Sequence, residues 1–202
     1  MRGVFITFEG IDGSGKTTML ECVALKLQSL GFRVVVTREP GGTELGRAVR
    51  DLVLTCEMSP MAELFLYAAD RAEHVARVIR PALEAGLIVL SDRYADATLA
   101  YQGYGRGLPL GMVREVNRWA TDGVMPELTI VLDCEVAEAR RRKGWLTDRF
   151  ERGGEDFLAR VRQGYLEIAH EEPERVRVIS SSGPKDVTAE LVWTTVASAL
   201  NL

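Results

Sequence analysis

Gly10-Ile11-Asp12-Gly13-Ser14-Gly15-Lys16-Thr17 decides the fold. The octet satisfies G-x-x-x-x-G-K-[ST] throughout, and its setting gives the match meaning: the apolar run 4–8 precedes it and an amphipathic stretch, 15–30, follows. Glycines let the backbone wrap closely enough for its N–H groups to point inward at phosphate oxygens. The N-terminus of the following helix adds positive potential. Lys16 is then expected to reach the outer phosphates, and Thr17 to offer its hydroxyl to Mg²⁺. An ordinary glycine-rich β–α turn would not require this lysine and threonine at this spacing.

Outward from the loop, short apolar runs alternate with helix-length segments. Strands are expected at 4–8, 33–37, 87–91, 128–133 and 175–179. Helices are expected at 15–30, 44–54, 61–84, 110–121, 136–143, 156–171 and 187–200, with Pro81 kinking the last turn of the long one. This pattern predicts an α/β fold, a five-stranded parallel sheet with helices on both faces. No linker, repeat or low-complexity tract divides the chain, so residues 1–202 read as one domain. Segments 103–107 and 140–154 read as mobile, the first from its glycines and the second from its charge.

The 202 residues carry 25 basic and 29 acidic side chains, a formal net charge of −4, which argues against nucleic acid as a partner. No apolar run reaches the length of a membrane span, and the N-terminal run meets Glu9 too soon for a secretory signal. Cys22, Cys56 and Cys134 fit neither a disulfide framework nor a zinc site and read as reduced packing residues of a cytoplasmic protein. His74 and His170 read as structural or solvated.

The phosphate loop alone leaves switch GTPases, motor ATPases and small-molecule kinases open. Neither asparagine, Asn117 or Asn201, begins an N-K-x-D guanine motif, and no strand ends in adjacent acids. Instead Leu87-Ile88-Val89-Leu90-Ser91-Asp92-Arg93 ends in an acid and then a base, at the carboxyl end of a strand beside the phosphate site. An arginine there can fork between two phosphates.

These residues, with Phe8-Glu9-Gly10, Thr37-Arg38-Glu39-Pro40-Gly41-Gly42-Thr43, Tyr67-Ala68-Ala69-Asp70-Arg71, Asp92-Arg93-Tyr94, Ala100-Tyr101-Gln102-Gly103 and Asp148-Arg149-Phe150-Glu151, resemble the bacterial type of the thymidylate kinase family. The resemblance spans most of the chain. It implies a P-loop NTPase fold, a short mobile lid near 140–154, a cytoplasmic homodimer, and the reaction ATP + dTMP → ADP + dTDP with Mg²⁺, in dTTP biosynthesis. It further implies that Gly10 through Thr18 hold ATP. Asp12, Glu39, Arg50, Tyr67, Arg71, Arg93, Thr98, Tyr101 and Gln102 would hold dTMP, and Thr17, with Asp92 behind it and Glu39 as a further candidate, would serve the metal. Lys16, Arg93, Arg149 and Asp12 are the implied catalytic residues. Within that set, Asp12 is implied at the acceptor 3′-hydroxyl, Tyr67 as the base stacker, Arg71 at the exocyclic oxygen, and Tyr101 beside the sugar 2′ position.

On spacing alone, Tyr67 and Arg71 share a helix face and suit either a pyrimidine or a core aromatic beside a solvated arginine. Arg50 alone reads equally as a helix-surface charge. From 140 to 152 six basic residues face two acidic ones. Such a run is ordinarily a solvated helix end, but a lid closing over a triphosphate needs the same charges. In the family a catalytic arginine comes from the loop or the lid. Position 14 is serine, so the lid is expected to supply it, with Arg149 the choice over Arg142 and Arg152. The loop 180–184 is expected, by topology, to hold adenine. Other nucleoside monophosphate kinases and a non-catalytic nucleotide-binding protein are the alternatives. The presence of Lys16, Thr17, Asp92 and Arg93 together argues against the second.

Overall fold

A computed structural model describes residues 3–143 and 154–202. Five strands form one parallel sheet in the order β2-β3-β1-β4-β5: β1 (Val4–Glu9), β2 (Val34–Arg38), β3 (Ile88–Asp92), β4 (Leu128–Asp133) and β5 (Val176–Ser180). The helices are α1 (Lys16–Ser29), α2 (Glu44–Thr55), α3 (Pro60–His74), α4 (Arg80–Glu84), α5 (Ala95–Thr98), α6 (Leu110–Thr121), α7 (Val136–Lys143), α8 (Gly154–Glu171) and α9 (Lys185–Leu200).

The three central strands, β3, β1 and β4, are buried on both faces, as their near-continuous apolar runs require, while the edge strands β2 and β5 are partly exposed. Ile6, Phe8, Leu90 and Ile130 pack toward Leu20, Leu27 and Val192. On the other face Phe5 and Val89 meet Val75, Ile79 and Tyr94. A third cluster, around Val131, Tyr101, Phe157 and Tyr165, ties α8 to the sheet. The register places Phe8 beside Asp92, so the phosphate loop and the end of β3 emerge together at the carboxyl edge.

Two segments differ from expectation. The helix expected over 61–84 is interrupted by a π-helical turn, Val75–Ile79, in which the Arg80 N–H donates to the Val75 carbonyl. Pro81 lacks an N–H and its ring crowds the carbonyl four residues back, and the widened turn accommodates it. The segment 103–107, expected mobile, instead begins within a helical wall. Helix α5 runs directly into a π-helical stretch, Leu99–Gly105, in which Gly103 and Gly105 are buried. A Cβ on Gly103 would come within 2.7 Å of Leu110, and one on Gly105 within 2.7 Å of Phe157. These glycines serve close packing rather than motion.

Cys134 is buried and Cys22 half-buried, but Cys56 is exposed, against the expectation of a packing residue, because it lies in extended backbone just past the end of α2. His74 is buried and His170 exposed, a structural and a solvated histidine respectively. Among the described residues no helix is long and apolar enough to cross a membrane.

Candidate active site

Glycine is obligatory at position 13, where φ is +82° and a Cβ would lie 2.1 Å from the Ala139 carbonyl oxygen. The loop therefore presses against α7. Lys16 Nζ donates to the Ile11 carbonyl at 2.9 Å and lies 3.8 Å from Asp12 Oδ1. Burial, reinforced by the Arg93 charge and opposed by Asp12, Asp92 and Glu9, brings the Lys16 ammonium down to about 8. An incoming polyphosphate would restore the proton. Thr17 Oγ1 donates to Asp92 Oδ2 at 2.6 Å, which leaves its lone pairs for another partner.

Arg93 is the centre of the site. Its backbone is left-handed, φ +75°, an uncommon state for a side chain of its size. Its N–H donates to the Phe8 carbonyl at 3.0 Å. The guanidinium reaches Asp12 Oδ1 at 2.6 Å, Tyr101 Oη at 3.1 Å and Tyr165 Oη at 3.2 Å. Burial opposes its charge, but Tyr101, Tyr165, Asp12 and Asp92 together hold its pKa well above the ordinary value. Glu9, fully buried, receives the Tyr94 N–H at 2.7 Å and the Tyr165 hydroxyl at 2.8 Å. Burial first, then Asp96, push the Glu9 carboxyl up to about 8, against the pull of Arg93.

Two cavities meet at this arginine. The first, about 620 Å³, is lined by Asp12, Glu39, Arg50, Tyr67, Arg71, Arg93, Thr98, Tyr101 and Gln102, the whole set anticipated for the acceptor, together with Pro40, Val53, Leu54, Tyr94 and Ala97. The second, about 970 Å³, is lined by Gly13, Gly15, Lys16, Thr17, Thr18, Arg38, Asp92 and Arg142. Asp12, Glu39, Arg50 and Arg93 line both. Of the anticipated loop residues, Ile11 is buried in the core cluster around Tyr101, Ser14 is fully buried, and none of Gly10, Ile11 and Ser14 lines the second cavity.

Arg71 sits at the floor of the first cavity with every donor engaged. It donates to Glu39 Oε2, Thr98 Oγ1, Asn117 Oδ1 and the Tyr94 carbonyl at 2.8–2.9 Å. A base oxygen at Arg71 would share one of these protons. Glu39 is held from its other side by His74 Nδ1 at 2.8 Å, whose Nε2 meets Thr37 Oγ1 at 2.6 Å. Arg50 donates to the Pro40 carbonyl at 3.2 Å.

A further hollow joins Gly15, Thr18 and Arg142 to Ser181, Gly183 and Lys185, in and beside the 180–184 loop. Arg142 donates to the Ser181 carbonyl at 2.8 Å. Three arginines of α7 are paired: Arg140 with Glu155, and Arg141 and Arg142 with Glu138. Of the lid expected at 140–154, residues 140–143 end α7 and Gly154 begins α8, while 144–153, with Arg149 and Arg152, lie outside the described residues.

Sequence reasoning did not single out Glu9, Glu63, Asn117 or Tyr165. Glu9 did carry a signal, as an acid closing an otherwise apolar buried strand.

The family model described as thymidylate kinase matches residues 8–192. A thymidylate kinase of Syntrophotalea carbinolica is 48% identical over 209 residues, covering 98% of this chain and 97% of that protein. One of Pelotomaculum thermopropionicum is 51% identical over 188 residues, covering 90% and 87%. The crystal structure of thymidylate kinase from Ehrlichia chaffeensis superposes with a TM-score of 0.79 at 35% identity, covering 99% of each chain.

Proposed function

The chain belongs to the thymidylate kinase family and catalyses ATP + dTMP → ADP + dTDP, and from that premise we propose how its two cavities divide the reaction. The first holds dTMP and the second the triphosphate of ATP. The observation that carries this is the shared wall: Asp12, Glu39, Arg50 and Arg93 face both spaces, so an acceptor phosphate and a donor phosphate approach end to end across them. In-line transfer needs positioning and charge neutralisation more than covalent chemistry, and this wall supplies both.

The roles are those the family resemblance implies, and the contacts support them. Lys16 and the loop amides draw the outer phosphates in, and Arg93 bridges donor and acceptor. Asp12, already charge-compensated by Arg93, accepts from the sugar hydroxyl. Tyr67 and Arg71, four apart on α3, carry the base, with Thr98 and Gln102 across from them. Tyr101, its hydroxyl held by Arg93, packs on the sugar. The chemistry of the donors fits Mg²⁺, a hard cation that keeps most of its water and takes few protein ligands. The Thr17 hydroxyl would hold it, Asp92 orienting that hydroxyl, with Glu39 nearby. Bound there, the cation would neutralise phosphate charge. The 180–184 loop takes the adenine.

The same reading gives one domain, a cytoplasmic location and a homodimer. Leu45, Leu52, Phe65 and Trp119, on α2, α3 and α6, are exposed apolar side chains on helices that pack side by side, a surface suited to a second copy. The three free cysteines suit a reducing compartment.

The assignment of cavities is tested by ADP release with and without dTMP. Release is expected to require dTMP, and Tyr67→Ala to raise the KM for dTMP about tenfold or more with the KM for ATP little changed. An equal effect on both KM values would overturn the division.

We assign the catalytic arginine to Arg149. Ser14 supplies no charge from the loop, and Arg140 and Arg141 are paired with acids and line neither cavity; Arg142, which lines the second cavity, and Arg152 are the runners-up. Arg149→Ala is expected to lower kcat by up to about 10³-fold with little change in the KM for dTMP. If Arg142→Ala or Arg152→Ala shows that loss while Arg149→Ala keeps full kcat, the role belongs to that arginine.

A further inference from the structure

Behind the first cavity, Gln102 and Glu63 meet in a contact that is 1% exposed on each side. Gln102 Nε2 donates to Glu63 Oε1 at 2.7 Å. The direction of that amide is fixed by chemistry: an ionised carboxylate only accepts, so the NH₂ end of Gln102 must face Glu63. Arg106 supplies the counter-charge, with Nη2 3.1 Å from Glu63 Oε2 and Nε 3.3 Å from Oε1. Arg106 is itself seated over the Phe157 ring, 4.8 Å from its centroid. Gln102 lines the cavity while Glu63 does not, so with Nε2 turned to Glu63 the opposite corner of the amide, Oε1, is the end left to the cavity.

Glu63 precedes Tyr67 by one helical turn and Arg71 by two, so one face of α3 carries all three. The cavity is therefore offered a fixed acceptor at Gln102. A pyrimidine with a proton on N3, thymine or uracil, meets it with a donor. Cytosine presents a lone pair at N3 and meets it with repulsion. A site built to hydrogen-bond discriminates strongly against a partner that leaves its buried polar group unpaired.

We propose that Glu63 is a specificity-positioning residue: by fixing which end of the Gln102 amide faces the cavity, it makes the site accept a pyrimidine that carries N3–H and reject one whose N3 is a lone pair. This rests on the placement of dTMP in the first cavity given above.

The test compares kcat/KM for dTMP and dCMP in the full-length enzyme and in Glu63→Gln, with thermal melting to verify folding. The amide introduced by Glu63→Gln can donate as well as accept, so the Gln102 amide is freed to turn over. The dTMP:dCMP ratio is expected to narrow by about tenfold or more, chiefly through KM, with dCMP gaining as dTMP loses. A merely structural role would lower both substrates by the same factor, and an unchanged ratio overturns the proposal. Gln102→Leu separates this failure from that of the underlying reading. If Gln102→Leu leaves the KM for dTMP unchanged, the base is not at Gln102 and the cavity assignment fails. If Gln102→Leu raises that KM while Glu63→Gln leaves the ratio intact, only the role of Glu63 fails. Should Glu63→Gln not fold, N3-methyl-dTMP is assayed with the unaltered enzyme. Its kcat/KM is expected to fall at least about tenfold below that of dTMP, and equal turnover overturns the proposal.

Discussion

Arg93→Ala is expected to cut kcat for dTDP formation by about 10³-fold or more, the scale of an arginine that neutralises a transferring phosphoryl group. Its guanidinium bonds Asp12 at 2.6 Å and lines both cavities, so its charge stands where the two phosphates meet. The backbone complicates a naive reading, because φ +75° is strained for alanine as it is for arginine. Arg93→Gly removes that objection: glycine takes the left-handed state freely, yet supplies no charge. Both variants should be inactive, with glycine melting at or above alanine. Arg93→Lys should recover only part of kcat, because an ammonium cannot fork between two phosphates. Single-turnover formation of dTDP is the measurement. A kcat within about tenfold of the parent in folded Arg93→Gly would remove Arg93 from the transfer.

Lys16→Ala is expected to abolish phosphoryl transfer while leaving the fold, since the loss is electrostatic and confined to the loop. The proton on Lys16 gives a second readout. In the free enzyme burial brings this ammonium to about 8, so above that pH the resting amine is largely neutral. Polyphosphate favours the charged form, so ATP binding above about pH 8 should take up a proton. Calorimetry of ATP binding in buffers of different ionisation enthalpy measures that uptake directly. kcat/KM for ATP should decline above about pH 8, while kcat, which reports the enzyme already loaded, should hold to higher pH. Lys16→Ala should bind ATP weakly and take up no such proton. Uptake that survives in Lys16→Ala would assign the titration to another group.

Much of this architecture was legible locally. The phosphate loop announced itself by spacing and by its position between a strand and a helix, and the acid–base pair at Asp92 and Arg93 stood at a strand end. The wall formed by 95–105 was missed because its glycines read as punctuation, although their hydrogens are what let Leu110 and Phe157 approach. The π turn before Pro81 was anticipated only as a kink. For the site, local spacing suggested little more than the Tyr67–Arg71 pair, and the resemblance to a family carried the remainder of the set that now lines one cavity. What neither conveyed was the layer beneath. Tyr165 reaches Glu9 across 156 residues, Asn117 reaches Arg71 across 46, and Gln102 reaches Glu63 across 39. Such pairings depend on which helices the sheet brings together, and no periodicity within one segment encodes them.

The position of β1 bears on how the chain is made. It is made before the other four strands of the sheet, yet it occupies the centre, flanked by β3 and β4. Thr7 bonds its side chain to Thr129, 122 residues later. At ordinary elongation rates of about 5–20 residues per second, that partner is synthesised on the order of ten seconds after the strand itself. Until β3 and β4 are made, the apolar strand has neither edge paired nor both faces covered. The nascent enzyme therefore passes through a stage in which this apolar strand depends on the exit tunnel, a chaperone or transient collapse for cover. The sheet can close from the middle outward only once residues 128–133 have emerged, and strands made later then find their places on a centre laid down first.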